Sequence, residues 1–247
     1  MKYLFAYLSL LLFVVGTSCK TGHGIISQPD KRIEKLISFR KSPCFGKCQV
    51  YRLSLYTDGM VILEGKENLD KTGVHFCQLN KETKEKFYKE INTLNWKSYK
   101  NSYFRNIPDL PSTELIYYGA TDSIIKSITS NTLLPKEIET IQSELANLIK
   151  SEKWTQILKK EDLTNPNLIL SEIQVDMDSS LTKDMLEEKF AAYGLKSKKR
   201  ISEYMNFFLF NYDTKMIESY EMLILLRKVP GVRLAIYNRK LEGRDDF

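Results

Sequence analysis

An α+β fold in two successive units is what this sequence predicts, and three observations predict it. Hydrophobic residues alternate over short runs in the first third of the chain, punctuated by turn residues such as Asp58-Gly59. Two longer stretches, after Asn80 and after Pro135, carry their apolar residues at helical spacing instead. Beyond a polar, proline-containing break at Asp162 to Asn167, strand and helix patterns follow as βαββαβ over roughly 75 residues. At 247 residues, 43% hydrophobic and 28% charged, the composition is that of a folded protein of one or two domains.

Taken in order, Ile33 to Phe39 alternates loosely and reads as the first strand. Pro43-Cys44-Phe45-Gly46-Lys47-Cys48 interrupts with a turn, and Val50, Leu53, Leu55 and Tyr56 mark the second strand. Asp58-Gly59 suits a tight hairpin turn, whose central residues need positive φ, so Met60 to Leu63 returns alongside. Val74 to Leu79 gives another short strand. Asn80 is a good helix cap, because its side chain accepts from first-turn amides that have no partner in the helix. Phe87, Ile91 and Leu94 then share one face of a helix running to about Trp96. A polar, aromatic loop containing Pro108 and Pro111 leads to a second hairpin, Glu114 to Tyr118 and Ser123 to Ile128. The helix after Pro135 buries Ile138, Ile141, Leu145 and Leu148 and is expected to continue toward Leu158.

The second unit is more regular. Leu168 to Val175 is a strand, and Ser180 caps a helix that turns Leu181, Met185, Leu186 and Phe190 inward until Gly194 stops it. Lys196 to Ser202 and Asn206 to Tyr212 are strands. Ile217, Tyr220, Leu223 and Ile224 form the stripe of a second helix ended by Pro230-Gly231, and Val232 to Tyr237 is the last strand. That order is the ferredoxin-like split βαβ arrangement. Two helices on a four-stranded sheet make a closed pair of layers, so this unit is expected to fold alone. The chain thus divides into a leader (1–18), a tether (19–31), an α+β domain (32–161) and a ferredoxin-like domain (162–247).

The N-terminus carries an export signal. Lys2 supplies a positive charge, Leu4 to Val15 is an apolar run, and small residues Gly16-Thr17-Ser18 precede Cys19. The run is too short to cross a bilayer core, which takes about 20 apolar residues. A cysteine at the cleavage point resembles the lipobox of bacterial lipoproteins, although Gly16 stands where leucine is usual. The resemblance implies that Cys19 is acylated and anchors the protein to the outer membrane of the cell envelope. Lys20 to Asp30 then reads as a flexible tether.

A formal net charge of +6 is modest, and its one dense patch is Lys196-Ser197-Lys198-Lys199-Arg200. Such a run most often marks a solvated strand edge or loop, and nucleic acid is not expected as a partner. Outside the cytoplasm close cysteine pairs tend to oxidise, so a Cys44–Cys48 disulfide is expected, with Cys77 left odd. A rival arrangement would gather Cys44, Cys48, His75 and Cys77 as zinc ligands, although C-x₃-C with H-x-C is an uncommon spacing. Only two histidines exist, His23 in the tether and His75, and no G-x-S-x-G elbow accompanies them. Phosphate loops, nucleotide fingerprints and paired acid–base carboxylates are absent from the sequence, so neither an enzyme nor a cofactor is expected. Tyr99, Tyr103 and Phe104 beside Arg105 would make an aromatic platform or, more plainly, cover an apolar edge. Asp109 and Glu114 flank Pro111 as two carboxylates that would bind a cation or, more plainly, face water.

Two resemblances to known families follow. Pro43-Cys44-Phe45-Gly46-Lys47-Cys48-Gln49-Val50-Tyr51, leading to Thr57-Asp58-Gly59, is similar to a domain of unknown function of bacterial envelope lipoproteins. Its hallmark is C-F-G-x-C-P-x-Y, and Gln49 replaces the proline. The second unit resembles the propeptide domains of secreted subtilisin-like proteases. The resemblance rests on Phe190-Ala191-Ala192-Tyr193-Gly194-Leu195, Phe207-Phe208-Leu209-Phe210, Leu226 to Val232, and Ala235-Ile236-Tyr237-Asn238-Arg239-Lys240. It implies a sheet that packs on a protease, with the tail Leu241, Glu242, Gly243, Arg244, Asp245, Asp246 and Phe247 in the active-site cleft. No protease domain follows in the sequence. The expected function is therefore a non-enzymatic protein-binding module, an inhibitor or folding chaperone of such a protease. The alternatives are a structural envelope protein and a metal or small-ligand binder.

Overall fold

The computed structural model describes residues 32–105 and 110–240. The leader, Cys19 and the tether, Pro108 with Asp109, and the tail at 241–247 lie outside the described residues, and what was expected of them stands as expectation.

Alternating residues in the first unit build one large sheet. β1 (Lys35–Lys41), β2 (Val50–Tyr56), β3 (Met60–Glu67) and β4 (Gly73–Gln78) form an antiparallel meander. At the β2–β3 turn Gly59 takes a φ of 88°, and the Asp58 carboxylate accepts from the Met60 amide at 2.8 Å. α1 (Lys81–Thr93) starts where the Asn80 side chain accepts from the Thr83 amide at 2.8 Å. β5 (Ser102–Tyr103), β6 (Thr113–Tyr118), β7 (Ile124–Ser130), α2 (Lys136–Ser151) and β8 (Thr155–Leu158) complete the unit. The sheet order is β5-β7-β6-β1-β2-β3-β4-β8, with only β5 and β7 parallel.

Two boundaries differ from the sequence expectation. The helix after Pro135 stops at Ser151, and the residues expected to prolong it form β8 on the edge of β4. The Trp154 indole N–H donates to the Leu148 carbonyl at 3.1 Å, which folds the chain back at the helix end. Gly73 lets the two strands meet: a Cβ there would lie 2.2 Å from the Leu158 carbonyl oxygen. Trp96 sits beyond α1 in a short turn of 3₁₀ helix, its ring stacked on Tyr117 with centroids 4.7 Å apart.

The second unit has the expected order: β9 (Leu168–Met177), α3 (Lys183–Lys189), β10 (Lys196–Arg200), β11 (Phe207–Asn211), α4 (Ser219–Arg227) and β12 (Val232–Arg239). Its sheet, β10-β11-β9-β12, is antiparallel throughout, the ferredoxin-like arrangement. Thr182, not Ser180, caps α3, its hydroxyl accepting from the Met185 amide at 3.2 Å. Ser180 is occupied otherwise, since both its amide and its hydroxyl donate to Asp178. The whole is α+β, a large sheet and a four-stranded sheet with four α-helices among the described residues.

One face of the large sheet packs Ile37, Phe39, Leu53, Leu55 and Leu63 against Phe87 and Ile91 of α1 and Ile138, Ile141 and Leu145 of α2. The other face carries Tyr56, Met60, Ile62 and Val74, which join a second core containing α4 and the inner face of the small sheet. α4 is therefore buried all round: Tyr220 through Leu226 are seven consecutive buried residues. A helix apolar on every side has protein on every side. Tyr220 hydrogen-bonds Arg52 and Glu64 of the large sheet, at 3.2 and 3.1 Å, while Arg227 donates to the Ala235 carbonyl of the small one at 3.0 Å.

Candidate partner-binding surface

Cys44 and Cys48 are joined in a disulfide across the turn between β1 and β2, their Cα atoms 5.8 Å apart. Asn68 donates to the Cys48 carbonyl at 2.8 Å, tying the loop to the end of β3. Phe45, at the tip of that loop, is exposed to solvent.

His75 and Cys77 share a face of β4, as a spacing of two on a strand requires, opposite Leu63 and Val61 of β3. Both are buried. Burial, and then the charge of Glu152, push the Cys77 thiol up to about 12, so it holds its proton at neutral pH. The four residues weighed as zinc ligands are not brought together. Cys44 and Cys48 are spent on each other, and among the described residues no three His, Cys, Asp or Glu side chains gather as a metal site.

The aromatic loop covers an apolar edge with two of its three rings, while Phe104 is exposed. Tyr99 and Tyr103 pack against the first core, and Arg105 is fixed through its backbone to Asn131. Glu114 lies on β6, where the hairpin reading put it, and pairs with Arg40 at 2.9 Å.

The outer face of the small sheet is a different kind of surface. Alternation sends Ile173 and Val175 of β9 inward and Glu172, Gln174 and Asp176 outward. Each outward group is held. Glu172 takes Lys198 and Asn238, both at 2.6 Å; Gln174 donates to Asn238 at 2.7 Å; Asp176 takes a two-pronged contact from Arg233. The hydrogen bonds from Lys198 and Asn238 keep the Glu172 carboxyl below the usual carboxylate range. Beside this fixed polar row, β12 presents Leu234 and Ile236, 44% and 38% exposed. Sequence reasoning missed these two. The signal was there: Leu234-Ala235-Ile236-Tyr237 is apolar on both faces of a strand whose inner face alone needs to be.

β12 is also an edge strand, and it runs straight into the seven residues expected to lie in a protease cleft. Lys240 closes the described part by donating to the Asn167 carbonyl at 2.8 Å.

Residues 35–149 match a domain of unknown function, DUF6438. The matched stretch runs from β1 to the last turn of α2 and so covers the first unit without β8. No curated protein matches the chain.

Proposed function

We propose that this chain is a lipid-anchored protein of the bacterial envelope that binds another protein and catalyses nothing, with a subtilisin-like protease as the partner class. The leader and Cys19 supply the location, and the propeptide resemblance of the second unit supplies the partner. The observation that carries the binding role is the outer face of the small sheet. There a pre-ordered polar row lies beside the exposed side chains of Leu234 and Ile236, on an edge strand. Apolar anchors beside satisfied polar groups are the make-up of a protein interface.

The test is inhibition of a subtilisin-like protease by the soluble chain beginning at Lys20. Slow, tight inhibition is expected, and Ile236→Glu weakens it at least tenfold, the scale of a lost apolar anchor of about 1.4 kcal/mol or more. Removing residues 241–247 weakens inhibition while leaving the melting temperature nearly unchanged. A folded chain that neither binds nor inhibits such proteases, those of its own host included, overturns the protease reading.

A further inference from the structure

The hairpin joining β10 to β11 presents a second surface, separate from the outer sheet face. Its tip carries Tyr204, Met205 and Ile201, which are 96%, 46% and 38% exposed. They are held outward by a braced loop. The Ile201 amide donates to the Phe207 carbonyl at 2.8 Å, and the Arg200 guanidinium donates to the Met205 carbonyl at 3.2 Å. The Asn206 amide side chain donates to the carbonyls of Asp178 and Leu181, at 2.9 and 2.8 Å, which fixes the loop to the end of β9. A loop ordered in this way loses little freedom on binding.

Directly behind the tip stands the basic strand. Lys196 and Lys198 are paired, with Glu187 at 3.0 Å and Glu172 at 2.6 Å. The two cations nearest the tip are not: among the described residues neither Lys199 nor Arg200 has a carboxylate within ion-pair distance, and Arg200 lies over the Phe208 ring at 5.7 Å. Glu203 is the loop's one carboxylate. An edge strand needs a lysine or two to discourage pairing with other strands. That need does not explain a fully exposed tyrosine beside a methionine and an isoleucine.

From these features we infer that the β10–β11 tip docks on a bilayer surface rich in anionic phospholipid. Along the hairpin the chemistry runs from aromatic and apolar at the end to cationic one rung behind. A bilayer offers the complement in the same order, acyl boundary deeper and phosphate nearer the water. Tyrosine rings settle at that boundary, and lysine and arginine gain from the anionic surface.

Sedimentation with sucrose-loaded vesicles tests this on the soluble chain from Lys20, which bears no acyl group, so the result is independent of Cys19 and of protease binding. Vesicles of phosphatidylcholine mixed with phosphatidylglycerol are expected to carry the protein down at low salt. Added salt weakens the binding, and phosphatidylcholine alone carries down little. Lys199→Gln weakens binding about fivefold, and the double variant Tyr204→Ser, Met205→Ser abolishes it with the charge unchanged. These side chains point into water, so melting temperatures serve as a control for folding. Tyr204→Trp is expected to shift its emission to the blue on addition of the mixed vesicles. The inference is overturned if the wild-type chain stays in the supernatant with mixed vesicles at low salt. It is equally overturned if the double serine variant sediments as well as wild type, or if neutral vesicles bind as strongly as anionic ones.

Discussion

Burial of His75 on β4 leaves its Nδ1 without a hydrogen-bond partner among the described residues, and the residue is only 8% exposed. Burial first, and then the positive charge of Lys71, lower its pKa below the ordinary histidine value. The sign of the consequence follows. In the unfolded chain the ring takes up a proton near pH 6.5, the ordinary histidine value, while in the native state it resists. Stability is therefore whole above the unfolded pKa and falls as the pH drops through it, until the native pKa is reached. Urea unfolding at about pH 7.5 and about pH 5.5 is expected to show a larger loss of stability for wild type than for His75→Leu. Equal losses would mean that His75 is protonated freely in the folded protein. At this scale the sequence was legible in part. The disulfide followed from two cysteines four apart and the redox logic expected of an exported protein. The zinc alternative failed because H-x-C points into the first core, and sequence spacing does not reveal which face of a strand is the inner one.

At the scale of elements, α4 shows how a helix start doubles as a joint between sheets. Glu218 and Glu221 form a reciprocal capping box, the Glu218 amide donating to Glu221 Oε2 at 3.2 Å. The other oxygen of Glu221 accepts from the Tyr56 hydroxyl of β2 and pairs with Lys35 of β1 at 3.1 Å. One buried carboxylate therefore caps the start of a helix and bolts it to two strands. Its loss strands the Tyr56 hydroxyl and a mostly buried Lys35. Glu221→Ala is expected to cost about 3 kcal/mol in denaturant unfolding, and Glu221→Gln clearly less, since an amide still accepts from the tyrosine. Equal costs would mean that charge alone matters there. The same element marks where reading the sequence stopped. A stripe at Ile217, Tyr220, Leu223 and Ile224 was legible, but Met222, Leu225 and Leu226 between them are buried too. Periodicity locates a helix with one wet face and carries no information on what covers the other. β8 escaped for a related reason: four residues shortly after an amphipathic helix continue its apolar spacing well enough to pass as one more turn.

For the whole molecule, that packing argues against the expectation that residues from Asn167 onward fold alone. Cutting the units apart would expose one full side of α4 and, opposite it, Tyr56, Met60, Ile62 and Val74 of the large sheet. Calorimetry of the chain from Lys20 is expected to give a single unfolding transition, with matching van't Hoff and calorimetric enthalpies. A fragment from residue 162 to the end is expected to aggregate or to lack a cooperative transition. Two separated transitions would show that the polar break at 162–167 is an energetic boundary as well as a change in composition.

Because α4 completes the covering of strands laid down far earlier, order of synthesis becomes a hazard. A ribosome releases β2, β3 and β4 long before it reaches Tyr220, so a greasy sheet face waits uncovered while some 150 residues are still to be made. Until the last quarter of the polypeptide arrives, the early strands have a template-like surface and no lid. A premature stop anywhere before residue 219 is expected to leave a product that is sticky as well as short, its sheet face uncovered.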